Sequence, residues 1–296
     1  MEGTLTVNGP GGAIIPAWGF ATTTSAPLTP QFPGPVLTVT EGDKVSIKVV
    51  NHSTLTHQMD HNFVIQSISG TSSSDAPATD FLPIAPGASK TYSFVATKAG
   101  TYLYYDSLNN EINREMGLYG ALIVEPSTNT PTVKTPWAGA PKYDFQRIWV
   151  TSDMDKQRWN DRAAAGLFVD VANYKANYFL INGMGGEDAK KITATSTAID
   201  GKVGDVALVR ILNAGLYPQT FHFHANHIEV ISVNGVRRAA PYKRLDVIQV
   251  DPLGSADVVF RLNQPGDYPM HNHTAQMETA NGFYLNGVVT MIYIKP

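Results

Sequence analysis

The chain contains no cysteine. That absence excludes disulfides, thiolate nucleophiles, cysteine-ligated iron–sulfur clusters and every thiolate metal site at once. It leaves the redox compartment open, because a cysteine-free chain is at ease in any of them. No apolar run approaches the roughly 18–20 residues that a bilayer-spanning helix needs, so no membrane span is expected. Clusters of like charge are scarce too: 22 basic and 25 acidic residues give a net charge of −3, and no basic run is longer than Lys190-Lys191 or Arg237-Arg238. Nothing in that pattern supports a nucleic-acid-binding surface or a polybasic membrane face. Helical periodicity is weak throughout; residues 153–165 read as one short helix or an irregular loop, and 110–117 as a single turn.

Short β-branched and aromatic runs are abundant. Residues 36–40, 44–50, 91–95, 101–105, 121–124, 147–151, 206–212, 228–233, 256–261 and 288–294 all read as strands separated by Gly, Pro, Asn and Asp, the pattern of an all-β sandwich or barrel. The glycine-rich stretch 182–186 follows such a strand without opening an amphipathic helix, and reads as a β-turn and not as a phosphate cradle.

An internal repeat divides the chain. Residues 41–51 match 203–213, with Gly42 aligned to Gly204 at an offset of 162, and 94–102 match 260–268, with Gly100 aligned to Gly266 at an offset of 166. Each half therefore carries the same order of strands. Two β-domains are expected, at 1–127 and 142–296, with the boundary in the Pro/Thr-rich stretch 126–141.

Chemistry concentrates in two His-x-His motifs of the second half, His222-Phe223-His224 and His271-Asn272-His273. Side chains at i and i+2 of a strand share a face, so each motif presents two imidazoles together. Two such pairs would supply four nitrogen ligands, a set suited to copper or zinc and not to calcium or magnesium. By spacing, His227 falls on the opposite strand face from His224 and reads as a neighbour of the site or a surface residue; His52 and His57 read as solvated. Met270 and Met277 read as core filling, although soft thioethers suit cuprous ions.

The sequence resembles the multicopper oxidase family in its two-domain, small-laccase-like or nitrite-reductase-like form. The similar residues are Gly100-Thr-Tyr-Leu-Tyr104, Gly117-Leu-Tyr-Gly-Ala-Leu-Ile-Val-Glu-Pro126, Tyr178-Phe-Leu-Ile-Asn-Gly183, Lys202-Val-Gly-Asp205, Leu212-Asn-Ala-Gly215, Phe221-His-Phe-His224 and Gly266-Asp-Tyr-Pro-Met-His-Asn-His273. The resemblance implies two cupredoxin-like Greek-key β-sandwich domains and copper as cofactor, with zinc chemically acceptable at the same donors. In the family one His-x-His from each of four strands encloses a trinuclear cluster, and a His-Cys-His segment also gives a blue copper its thiolate. Here Asn272 stands at the place of that cysteine, Gln219 at that of the first blue-copper histidine and Met277 at that of a later one. A type 1 centre needs its thiolate, so this chain builds none.

At an offset of 162, His222 and His224 fall on Asp60 and Asn62, and at 166, His271 and His273 fall on Tyr105 and Ser107. The first half thus has the frame without the imidazoles, and the expectation is one metal, or at most two with help from His61, Asp60 or Asp106. The resulting site is His222, His224, His271 and His273 around copper, with Asp60, His61 and Tyr105 as proton donors. A small molecule or dioxygen would then bind the metal itself. The resemblance further implies a homo-oligomer, a trimer in many relatives, and a periplasmic or secreted protein whose signal peptide is removed, with the cytoplasm left open. The competing reading is a cupredoxin scaffold that has lost catalysis and serves as a metal-binding, structural or protein-interaction protein.

Overall fold

Residues that alternate between apolar and polar along short runs bury one face of a strand and solvate the other, and pairs of such strands close into layers. A computed structural model describes residues 1–23, 28–52, 59–66, 68, 81–193 and 196–296; His57 lies outside the described residues. Strand accounts for 45% of the chain and helix for 9%, so the all-β expectation holds. All ten runs read as strands fall on strands, eight of them with shifted ends. The helical turns at 110–117 and 153–165 are Ile112–Glu115 and a π turn Lys156–Asn160 running into Asp161–Ala164, the latter pair capped by Asp155, which accepts from the Arg158 amide at 3.0 Å. Asn182 and Gly183 both take positive φ between Ile181 and Met184, the tight hairpin turn expected there.

The chain divides into two compact units that interleave in sequence: Met1–Leu5, Ile15–Ser127 and Met154–Lys175 form the first, and Thr6–Ile14, Thr128–Asp153 and Ala176–Pro296 the second. A single cut between 127 and 142 therefore needs correcting for residues 6–14 and 154–175. The second stretch is held to the first unit by its own side chains: Asn160 Nδ2 donates to the Pro16 carbonyl at 3.1 Å, and Tyr174 Oη to Glu115 Oε2 at 3.0 Å. Buried Trp159 packs edge-on against Tyr174 with ring centroids 4.7 Å apart.

In the first unit Leu37–Thr40, Tyr119–Glu125, Gly100–Tyr105 and Val64–Ile65 form one sheet in that spatial order, and Lys44–Val50 pairs with Ser89–Val95 in another. Phe63, Ile65, Tyr92, Phe94, Tyr104 and Leu122 belong to one buried cluster. Phe63 stacks on Tyr104 at 5.1 Å, and full burial of each such aromatic stabilises the unit by about 1.5–3 kcal/mol.

In the second unit Val206–Asn213 runs between Phe145–Met154, to which it is parallel, and Ser255–Arg261, to which it is antiparallel. A five-stranded sheet has the order Ile199–Lys202, Val289–Lys295, Gly266–Asn272, Gln219–Phe223, Val247–Val250. The two histidine motifs thus sit on adjacent strands. Along Gln219–Phe223 burial alternates strictly, with Phe221 and Phe223 inside. Both rings stack on Trp149, at 6.3 and 5.6 Å, and its indole N–H donates to the Thr197 carbonyl at 2.8 Å. This packing fixes which face of the strand His222 occupies.

Candidate metal centre

Antiparallel pairing sets His222 directly opposite His271, flanked by the pairs Phe221 with Asn272 and Phe223 with Met270. His224 follows the first strand, and its Nε2 lies 3.1 Å from Nε2 of His271. One ring atom each from His222, His224 and His271 falls within 4.8 Å of the others, the sole such group of potential ligands among the described residues. His273 lies just past its strand and is exposed; its ring centroid is 5.1 Å from that of His222 and 6.1 Å from that of His271. Three imidazoles therefore converge closely and the fourth stands at the rim. His227 is exposed, and Met270 and Met277 are buried, in keeping with a surface residue and core filling.

Hydrogen bonding assigns the tautomer of His271. Its Nδ1 lies 2.6 Å from Glu278 Oε1 and 2.9 Å from the Asn272 carbonyl, both acceptors, so Nδ1 carries the proton and Nε2 turns a lone pair toward His224. Sequence reading missed Glu278; it is buried at the end of the turn Ala275–Glu278, seven residues past His271, and a lone carboxylate after a His-x-His motif was the signal available. Burial, followed by the neighbouring imidazoles, holds the pKa of His222 and His224 below the usual histidine value. For His222 the charge of Asp246, and after it the Asp246 backbone, exert a smaller opposing pull. Nδ1 of His222 is buried without a well-formed hydrogen bond.

Imidazoles kept close together, one oriented by a carboxylate and one with an orphaned ring nitrogen, are a donor set that fits a borderline metal ion. No thiolate is present to make the set a blue-copper site. Where that centre would need histidine and cysteine, Gln219 and Asn272 are buried and joined by a hydrogen bond of 2.6 Å from Asn272 Nδ2 to Gln219 Oε1.

Strand pairing also corrects the first-half counterparts of the histidines. Asn213 Nδ2 donates to the carbonyls of Tyr217 and Val250, 4 and 37 residues on; Asn51 Nδ2 donates to those of Met59 and Ile84, 8 and 33 residues on. The first half is thus four residues longer just after Asn51. Val64 pairs with Tyr105 as His222 pairs with His271. Val64 and Gln66, and not Asp60 and Asn62, are therefore the counterparts of His222 and His224. Tyr105 and Ser107 keep their place opposite His271 and His273. On the same register His61 and Asp106 match Gln219 and Asn272, and His61 Nδ1 lies 2.7 Å from Asp106 Oδ2. Asp60 is exposed, and buried Tyr105 has the Arg114 guanidinium 5.7 Å from its ring centroid. The described contacts of Asp60, His61 and Tyr105 are made within the first unit.

Paired histidine strands in a cupredoxin-like sandwich are the donor arrangement of a copper-binding class of proteins. The chain belongs to the multicopper oxidase family, whose metal is copper: multicopper oxidase family models match residues 20–129 and 167–290. It is similar to Laccase-9 of Arabidopsis thaliana, 29% identical over 246 residues that cover 81% of this chain and 38% of that protein. Laccase-13 of the same plant is 25% identical over 268 residues, covering 88% and 44%. The chain thus spans less than half the length of these curated relatives. Among solved structures, a blue copper oxidase from Nitrosomonas europaea shares the fold with a TM-score of 0.75 at 22% identity, over 99% of this chain and 83% of that one. No helix among the described residues is long and apolar enough to cross a membrane.

Proposed function

We propose that this chain is a copper-dependent oxidoreductase that works without a blue copper, at a site made by His222, His224 and His271, with His273 closing the rim. The observation that carries this reading is the convergence of three imidazole ligand atoms within 4.8 Å in a chain that has no cysteine. Copper held there supplies a one-electron couple and an open position for a small molecule or dioxygen. Glu278 holds the proton on Nδ1 of His271 and keeps that imidazole oriented. Phe221, Phe223 and Trp149 close the inner side of the strands against water. A supply of protons from Asp60, His61 or Tyr105 belongs to the same proposal; unchanged turnover in Asp60→Asn and Tyr105→Phe would remove those two residues from it. A homo-oligomeric, trimeric assembly and a periplasmic or secreted location are supported by the family resemblance.

The test is copper per chain in protein prepared without a histidine tag, with electron paramagnetic resonance and oxygen uptake on small reductants. The expected result is stoichiometric copper with no intense blue absorption, lost in His224→Ala and His271→Ala. Copper content indifferent to both substitutions would overturn the proposal. Bound copper with no oxygen uptake on any reductant would leave a metal-binding scaffold in its place.

A further inference from the structure

The first unit carries a second constellation, made of residues other than the converging imidazoles. The Asp106 carboxylate is fully buried and accepts three hydrogen bonds: His61 Nδ1 at 2.7 Å and Asn113 Nδ2 at 2.9 Å on Oδ2, and the Leu108 amide at 3.0 Å on Oδ1. With its Nδ1 proton committed to the carboxylate, the uncharged form of the His61 ring presents a lone pair on Nε2. That atom has no hydrogen-bond partner among the described residues. His61 and Asp106 line a cavity of about 290 Å³ whose other walls include Phe20, Leu37, Val49, Phe63 and Leu118. An apolar cavity of roughly 150 Å³ is enough to hold a benzene ring. The space here suits one ring or a short branched chain with a single substituent.

The donor requirement selects the ligand. A carboxylic acid would bring a second carboxylate toward Asp106, and an ammonium ion would meet Lys48 at the rim while leaving strong hydration behind. A ketone or ether offers Nε2 no proton. We infer that this cavity binds a small alcohol, with its apolar body against Phe20 and Phe63 and its hydroxyl donating to Nε2 of His61. The inference requires no bound copper, because every residue that lines the cavity belongs to the first unit.

The test is a calorimetric titration of the full chain with cyclohexanol, cyclohexanone and cyclohexyl methyl ether, three probes of nearly one shape. Cyclohexanol should bind about tenfold more tightly than either analogue, the size of effect that one hydrogen bond to a partly buried acceptor gives. Asp106→Asn retains the shape but can donate to Nδ1, which moves the imidazole proton to Nε2 and turns that atom into a donor. The preference should then pass from the alcohol to the ketone, an outcome that simple loss of packing would not produce. Val49→Phe, at the half-buried wall, should weaken all three probes together. Equal binding of the three by the unsubstituted protein overturns the inference even if Asp106→Asn fails to fold; so does an unchanged order of preference in a folded Asp106→Asn.

Discussion

Glu278 decides what His271 can offer. Its oxygen, 2.6 Å from Nδ1, pins the proton there and leaves a lone pair on the opposite nitrogen. Glu278→Gln is expected to weaken copper binding by about 10- to 100-fold, because an amide can donate to Nδ1 and support the wrong tautomer; competition with a chelator of known affinity measures it. His273→Ala should cost less than His224→Ala in the same titration, since His273 is exposed and outside the tight group. Acid sensitivity follows from His222 and His224, whose pKa values are lowered from 6.5 chiefly by burial. Above that value the imidazoles are neutral in folded and unfolded chains alike. As pH falls through it, the unfolded chain takes up protons that the folded one resists, and stability is lost. Metal-free protein should therefore melt at a lower temperature at about pH 5 than at about pH 7, and His224→Gln should flatten that dependence. The four histidines were legible because a period of two on a strand needs no tertiary information. Glu278 was not, because only the fold of the turn before it brings it back to His271.

At the scale of elements, the two buried asparagines fix the repeat. Asn213 and Asn51 each bridge two backbone carbonyls that lie on different segments. Asn213→Ala leaves those acceptors buried without their donor and should destabilise the second unit by about 2–4 kcal/mol, read from the denaturant midpoint at constant slope. The repeat was visible in sequence through Gly42 with Gly204 and Gly100 with Gly266, because turns with positive φ at Gly42 and Gly204 demand glycine. The register in between was not visible. Four additional residues after Asn51 lower the offset to 158 before later differences raise it to 166, so carrying the first block's offset of 162 forward puts His222 on Asp60 where strand pairing sets it on Val64. Short strands such as Ile199–Lys202 and Val247–Val250 escaped the reading, being too brief for an alternating pattern to stand out.

At the scale of the molecule, copper acts as a ligand of the folded state. Copper at about 100 times its dissociation constant adds about 2.7 kcal/mol to stability, and chelation followed by a thermal scan should reverse that gain. If the proposed trimer shares the site between subunits, the double variant His224→Ala/His271→Ala should sediment as a smaller species than the unsubstituted protein; identical sedimentation would locate the site away from the interface. The interleaving of the units could not be read from composition. The stretch 126–141 looks like a linker, but the crossing of 154–175 into the first unit depends on where Trp159, Asn160 and Tyr174 find partners.

The alternation along Gln219–Phe223 ties the ligands to the core. Phe221 and Phe223 rest on Trp149 on one side of the pleat, and His222 occupies the other. A slip of one position would trade the rings for the imidazole, exposing two phenyl groups and interring a basic side chain. Misregistered chains are thus penalised before any ion arrives, and every molecule that completes its hydrophobic interior delivers its imidazoles already aimed outward.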